Sequence, residues 1–183
     1  MRFTAFLAAA AAALALGGAA QAAVLSCSTT GPSGASFSLG NALDKSCVSG
    51  ANDTNTITSS YSLFGKTGWT LSDKNDDAVT GSPVSFATGP VNGTKSGTWS
   101  VASWAGLTEV IITLKAGNGF AAFLIDVAAG LGGSWSSSKD LSHASIYYRG
   151  TPTTPIPLPP AALMLLGGLG ALGALRFGRR RAA

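Results

Sequence analysis

One histidine and one glutamate are the residues of this chain best suited to acid–base chemistry. His143, a serine and either Asp126 or Asp140 would supply the residue types of a Ser-His-Asp triad. His143 lies at the start of a predicted strand, however, and no serine lies in the strand–turn–helix pattern of a nucleophile. Glu109 occupies an outward position on a predicted strand, whereas glycoside hydrolysis needs two placed carboxylic acids. We therefore predict that the chain is not an enzyme.

Three oxygen-bearing side chains, Asp73, Asn75 and Asp77, are spaced like the first ligands of a calcium loop. Ala78 stands where an EF-hand needs glycine, and Val84 stands where it needs a bidentate acid, which excludes an EF-hand. A looser calcium site in a surface loop is one alternative, and a solvated turn is the other. Apart from this candidate, we expect neither a metal nor a cofactor.

Four tryptophans offer aromatic faces on which sugar rings can stack. Trp99 alternates with apolar residues and is expected in the core, where large side chains are also needed. Trp104 and Trp135 lie near predicted turns, and we take them as the candidates for stacking on carbohydrate. Binding of an exopolysaccharide is therefore the alternative to a purely structural role.

The elements that must position these residues are short strands. Residues 109–115, EVIITLK, alternate polar and apolar side chains, and a turn leads into an apolar strand at residues 120–126 that we expect to be central. No stretch between residues 24 and 150 has a helical period. The pattern predicts an all-β, antiparallel sandwich or jelly roll. The other predicted strands are residues 36–39, 61–64, 68–71, 84–86, 98–101, 133–136 and 144–149.

The formal charge of +4 is concentrated at the ends of the chain. Arg2 and four arginines near the C-terminus supply +5, whereas residues 23–153 hold six Lys and one Arg against eight acidic residues, a net charge of −1. This middle part has no basic patch to neutralise phosphates, so we expect no nucleic acid partner. Its roughly 130 residues are enough for one hydrophobic core and one domain.

The N-terminus, residues 1–22, is typical of a signal peptide. Arg2 precedes an apolar stretch of twelve residues, which is too short to anchor the chain in a bilayer. Two glycines end this stretch, and an A-x-A sequence ending at Ala22 supplies the small residues of a peptidase site. We predict cleavage between Ala22 and Ala23, followed by an exported domain of residues 23–150.

The two cysteines, Cys27 and Cys47, both fall in the predicted exported part. An even number of cysteines in an oxidising compartment predicts a disulfide between them. The C-x-x-C spacing and a neighbouring histidine are lacking, which disfavours a redox or metal site. The rival for Cys27 is lipidation, because residues 24–27, VLSC, loosely resemble a lipobox, although they lie well downstream of the apolar stretch.

The C-terminus has three parts in order. Residues 151–160, TPTTPIPLPP, predict an extended proline-rich spacer. Residues 161–178 predict one transmembrane helix, whose glycines permit close contact with a partner helix. A basic end, residues 179–183, is expected to stay in the cytoplasm, which places the preceding domain outside. The arginines on which this orientation rests are Arg176, Arg179, Arg180 and Arg181.

This tail resembles the PEP-CTERM-type sorting signal in its VPLPA-CTERM variant. Ile156 stands where valine is usual in that variant, and Pro160 is an extra proline. The resemblance implies tethering at the inner membrane, processing by an exosortase-type enzyme, and delivery to the cell surface or an exopolysaccharide matrix. The motif that carries it, ahead of the Gly-rich apolar stretch and the arginines, is Ile156, Pro157, Leu158, Pro159, Pro160 and Ala161.

The middle of the chain also resembles a group of proteins. GWTLSDKND, SGTWSV, VIITLKAGNGFAAFLID, GSWSS and LSHASIYYRG, in that order, are similar to β-sandwich domains that often precede such tails. The resemblance implies a sandwich fold and no reaction. We expect a non-enzymatic surface or extracellular-matrix protein, with a carbohydrate-binding module as the alternative.

Overall fold

The computed structural model describes residues 23–50, 56–77 and 79–152. These residues belong to the first of two compact units, Met1–Pro152, whereas the second unit, Thr153–Ala183, lies outside the described residues. The predicted signal peptide, sorting motif, transmembrane helix and arginine cluster therefore also lie outside them.

Ten strands make up the regular structure of the described residues. Hydrogen bonds join them into two antiparallel sheets, and the all-β sandwich expected from the sequence is confirmed. The described residues contain no α-helix, and therefore no helix that is long and apolar enough to cross a membrane. In chain order the strands are β1 (Val24–Ser28), β2 (Ser36–Gly40), β3 (Ala42–Ser49), β4 (Thr70–Lys74), β5 (Phe86–Thr88), β6 (Ser96–Val101), β7 (Glu109–Ala116), β8 (Gly119–Ile125), β9 (Gly132–Ser137) and β10 (Leu141–Arg149). Sheet A has the order β1-β2-β9-β6-β5, and sheet B has the order β3-β8-β7-β10-β4.

The principal core lies between the two sheets. Alternate residues of β7, namely Val110, Ile112 and Leu114, point into it, as the sequence predicts. Phe123 of β8 and Trp99 of β6 belong to the same cluster, and all five side chains are at most 1% exposed. Complete burial of such a side chain contributes about 1.5–3 kcal/mol, which makes this layer the main source of stability.

Sheet B has a second core on its outer face, which explains why β8 is apolar on both faces and why β7 carries Ile111 at an outward position. The segment of residues 56–69, between β3 and β4, lies over this face and contributes Ile57, Leu63 and Trp69. Tyr147 Oη accepts a hydrogen bond from Ile57 N at 3.1 Å, which ties the segment to β10. The outward side chains of the sheet beneath it are Ile111, Phe120, Ala122 and Tyr147.

A disulfide closes one side of the sandwich. Cys27 of β1 is bonded to Cys47 of β3, so it joins the edge strand of sheet A to the edge strand of sheet B, with the two Cα atoms 6.1 Å apart. Lys45 Nζ donates a hydrogen bond to Ser26 O between the same two strands. The predicted disulfide is confirmed, and it leaves no thiol on Cys27 for lipidation.

Side chains of β4 close the opposite side. Ser72 Oγ donates to Val84 O and accepts from Val84 N at 3.2 Å, just before β5. Asp73 Oδ2 accepts from Phe86 N at 2.8 Å. Because unpaired backbone groups at a sheet edge invite pairing with other chains, these contacts protect the edge as well as hold the sheets together.

The observed strands differ from the predicted ones mainly at the edges. The sequence pattern predicts neither β1 nor β3. In β3 the polar side chains and a register shift between Ala42 and Asp44 interrupt the alternation of polar and apolar residues. Residues 61–64 form no strand; Leu63 makes only an isolated bridge with Lys66, within the segment over sheet B. β4 and β5 each begin two residues later than predicted.

Replacement of Ser72 with Ala tests the closure at β5. The variant removes the hydrogen-bond partner of Val84 N and Val84 O at a fully buried position. We expect the free energy of unfolding to fall by roughly 1–3 kcal/mol, measured by urea denaturation. Ser62→Ala, at an exposed position, is the control and should change it by less than about 0.5 kcal/mol. Equal stability of the two variants would contradict this closure.

Candidate functional site

A cleft of about 610 Å³ opens beside β4 and the chain around β5. It is lined by residues 73–75 at the end of β4 and by residues 85–86 and 89–92 around β5 and the turn that follows it. Its volume lies within the range of small-molecule sites. Among the features of the described residues, it is the best candidate for a binding pocket.

Asn75 holds the walls of this cleft together. Its Oδ1 accepts a hydrogen bond from Ala144 N of β10 at 2.9 Å, while its Nδ2 donates to Pro90 O at 2.6 Å and to Asn92 Oδ1 at 2.8 Å. The backbone N of Asn75 also donates to Ala144 O at 3.0 Å. One residue thus joins the end of β4, the turn after β5 and the start of β10, so the cleft is preformed.

The same contacts involve two of the three candidate calcium ligands. Asp73 accepts the hydrogen bond from Phe86 N that closes the sandwich, and Asn75 Oδ1 faces the amide of β10. Asp77 lies in an exposed turn. Asp73 and Asn75 therefore hold backbone groups of neighbouring segments in place. Among the described residues, no three His, Cys, Asp or Glu side chains are placed to hold a metal ion.

The lining of the cleft combines an apolar wall with polar groups. Phe86 is half-buried against the core, and Val91 is 62% exposed. Ser85 and Asn92 bring a hydroxyl and an amide to the same cleft. Lys74 Nζ lies 3.0 Å from a carboxylate oxygen of Asp76, so its charge is balanced locally. This combination suits a molecule that has both an apolar face and hydroxyl groups.

The prediction that Trp104 and Trp135 offer exposed rings is wrong, because they are only 8% and 2% exposed. Trp104 packs on Trp99 with ring centroids 6.1 Å apart, and its Nε1 donates to Gly130 O at 2.9 Å. Trp135 points into the core from β9 and lies so close to Gly97 that a Cβ atom there would stand 3.0 Å from its Nε1. Both tryptophans are core residues and cannot stack on a sugar.

His143 and Asp126 of the candidate triad lie apart. His143 is buried in β10, opposite Lys115 of β7, which in turn lies opposite Phe120 at the start of β8. Asp126 follows the other end of β8, six residues from Phe120 and therefore roughly 20 Å along the sheet. The side chain of Asp140 is 68% exposed. The fold does not bring His143 and Asp126 together.

Glu109 belongs to an ionic cluster at the start of β7. Lys66 Nζ donates to one carboxylate oxygen and Arg149 Nη1 to the other, the latter at 2.5 Å. The hydrogen bond from Lys66 holds the pKa of Glu109 below its usual value, and the charges of Lys66 and Arg149 act in the same direction. Because a general acid needs a raised pKa, the cluster gives Glu109 a structural role, in agreement with its predicted outward position.

The cleft was not apparent from the sequence, although one signal was present. Val91 lies in the sequence PVNG, residues 90–93, which is typical of a turn. An apolar side chain in a surface turn is not needed for the core and is therefore a signal of binding. The role of Asn75 has no local signal, because its side-chain partners lie 15, 17 and 69 residues away.

No protein-family model, no curated protein and no solved structure matches the chain.

Replacement of Glu109 with Gln tests the ionic cluster. A carboxyl group whose pKa is lower in the folded chain stabilises it above the unfolded pKa, and this stabilisation is lost as the pH falls through the folded pKa. We therefore expect E109Q to lower the free energy of unfolding by up to about 1 kcal/mol at pH 7. The difference from the wild type should shrink once the pH drops below 4.5.

Denaturation in urea at several pH values measures this difference. Asp140→Asn is the matched control, because the Asp140 carboxylate is exposed and 4.0 Å from Lys95 Nζ. It should change stability little at any pH. A difference between E109Q and the wild type that stayed constant from pH 7 to pH 3 would refute the electrostatic explanation.

Proposed function

We propose that the chain is an exported, non-enzymatic protein of the cell surface or extracellular matrix, held at a membrane by its C-terminal tail. The observation that carries this proposal is the bond between Cys27 and Cys47, which joins the edge strands of both sheets. Structural disulfides form and persist in oxidising compartments outside the cytoplasm. A signal peptide at residues 1–22 would bring the domain to such a compartment.

The start of the fold is compatible with cleavage between Ala22 and Ala23. Ala23 O accepts a hydrogen bond from Ala42 N at 3.3 Å, and β1 begins at the next residue. Cleavage at this bond would leave β1 whole, with Cys27 available for the disulfide. Cleavage at a lipobox before Cys27 would instead remove the first half of β1. The position of the edge strand therefore favours the signal peptidase site over lipidation.

The tail completes the proposal with a membrane and an enzyme as partners. Residues 151–160 would hold the sorting motif extended outside the membrane, because its prolines disfavour helix and sheet. Residues 161–178 would form the single transmembrane helix, and residues 179–183 would stay in the cytoplasm. An exosortase-type enzyme would then cut the tail and release the domain to the surface or matrix.

Replacement of both Pro157 and Pro159 with Ala tests the sorting motif. We expect export to continue and a longer, membrane-bound form to accumulate, because a protease needs an extended and exposed backbone. Immunoblots of membrane and surface fractions measure the two forms. Pro152→Ala with Pro155→Ala is the matched control, which alters the same spacer outside the motif and should be processed normally. If both double variants are processed like the wild type, the motif is not a recognition site.

The second candidate function is binding of a carbohydrate in the cleft beside β5. The observation that favours it is the pairing of Phe86 and Val91 with Ser85 and Asn92 in one preformed pocket. Sugar rings have apolar faces and rims of hydroxyl groups, and such a lining matches both. With Trp104 and Trp135 buried, this cleft replaces them as the proposed carbohydrate site.

Replacement of Asn92 with Ala tests the cleft. The variant removes a polar group of the lining and one partner of Asn75 Nδ2, so we expect roughly tenfold weaker retention of any neutral oligosaccharide that the wild type binds. An array of neutral oligosaccharides, probed with the full chain in mild detergent, measures this. Asn118→Ala, in the exposed turn between β7 and β8, is the control and should bind normally. Identical profiles for N92A and the wild type would remove the cleft as the site.

A further inference from the structure

The outer face of sheet A carries hydroxyl groups instead of the usual mixture of charged and polar side chains. In β1, β2, β6 and β9 the apolar side chains alternate into the core, as Phe37 and Trp135 do. The residues between them point outward, and all of them except Gly40 are exposed or half-exposed. We use the name hydroxyl face for the outward residues of these four strands.

Strand register arranges these hydroxyls in rows across the sheet. The central row consists of Ser26, Ser38, Ser136 and Ser96, which lie opposite one another on β1, β2, β9 and β6. Neighbouring strands are about 4.8 Å apart, so four hydroxyls span roughly 14 Å. The row therefore presents donors and acceptors along a line across the sheet.

Further hydroxyls flank the central row on both sides. On one side Ser28 lies opposite Ser36, and Ser138 adds a third hydroxyl to this row through a hydrogen bond from Ser36 N to Ser138 Oγ at 2.9 Å. On the other side Thr98 lies opposite Ser134. The central row is therefore part of a two-dimensional array.

Four hydroxyls of this array are held in place by pairing with each other. Ser38 Oγ and Ser136 Oγ are 2.6 Å apart, and Ser28 Oγ and Ser36 Oγ are 2.8 Å apart. A hydroxyl can donate one hydrogen bond and accept two, so each member of a pair retains capacity for a ligand. Because serine side chains are short and already paired, little conformational entropy is lost when they bind.

Charge decides which kind of ligand this face suits. The outward positions of the four strands carry no charged and no aromatic side chain, and Val24 at one corner is their only large apolar residue. A polyanion or a membrane surface would require basic residues, and a stable protein interface would require an apolar centre. An uncharged polymer that itself carries hydroxyl groups is complementary to this face.

We propose that the hydroxyl face binds an uncharged polysaccharide chain laid along its rows. This proposal rests on the surface role proposed above, because the face meets such a polymer only outside the cytoplasm. It is distinct from the cleft, since the polymer lies on sheet A and makes many single hydrogen bonds rather than filling a pocket. Each bond contributes little in water, and retention comes from their number and from many copies on one matrix.

Removal of three hydroxyls from the central row tests this proposal. In the variant Ser26→Ala/Ser38→Ala/Ser136→Ala, we expect roughly tenfold weaker retention of the full chain, in mild detergent, on a soluble neutral β-glucan. Affinity electrophoresis in gels with and without the glucan measures it, and gels with polygalacturonate provide the acidic comparison. The matched control Ser59→Ala/Ser62→Ala/Ser142→Ala removes three exposed hydroxyls elsewhere and should migrate like the wild type.

A second variant makes the test independent of any change in stability. Ser134→Glu introduces one charge at an exposed position of the face and should weaken glucan retention while the urea midpoint stays within the range of the control.

Equal retention of the wild type on glucan and polygalacturonate would overturn the proposal, as would wild-type mobility unaffected by glucan. Loss of retention in N92A but not in the triple variant would assign binding to the cleft and also overturn it. Dimerisation abolished by the triple variant would assign the face to a second copy.

Discussion

The bond between Cys27 and Cys47 determines how the two sheets of this domain are held together. It links the edge strands β1 and β3, which are neighbours across the sandwich but belong to different sheets. A closed loop of this length stabilises the folded state by roughly 3 kcal/mol, because it lowers the conformational entropy of the unfolded chain. At the opposite side Ser72 and Asp73 bind the backbone around β5. The backbone groups around β5 are thereby protected from pairing with other chains.

The two sheets play different parts because, within the part of the chain that the structure describes, only sheet B is covered on its outside. The segment of residues 56–69 buries the outer face of sheet B under Ile57, Leu63 and Trp69. The outer face of sheet A carries hydroxyls such as Ser38 and Ser136. Apolar residues that serve stability are thus gathered in sheet B and in the core. Sheet A is left to present an uncharged polar surface, and the proposed binding of a neutral polysaccharide rests on this surface.

The parts of the fold that follow from local alternation could be predicted from the sequence. The strands at Glu109–Ala116 and Gly119–Ile125, the inward position of Trp99, and the disulfide all have signals within a few residues or in the cysteine count. Trp104 and Trp135 could not be placed in this way. Whether an aromatic residue beside a turn is buried depends on which backbone lies across from it, here Gly130 and Gly97.

The candidate cleft had still less local signal, because its walls meet only in the folded chain. Asn75 looked like a calcium ligand in sequence, yet its amide binds Pro90, Asn92 and Ala144. The hydroxyl face likewise needs the register of four strands before its serines form rows. The alternation of polar and apolar residues shows which side chains of a strand point outward. The order and register of the strands determine which side chains of other strands lie beside them.

The measurement that tests the export account most directly is the intact mass of the protein isolated from its own cells without reducing agent. Our account requires a chain that begins at Ala23, lacks Arg179–Arg181, and is lighter by the two thiol hydrogens that the disulfide removes. A chain that begins at Met1, keeps those arginines and has both thiols free would contradict it.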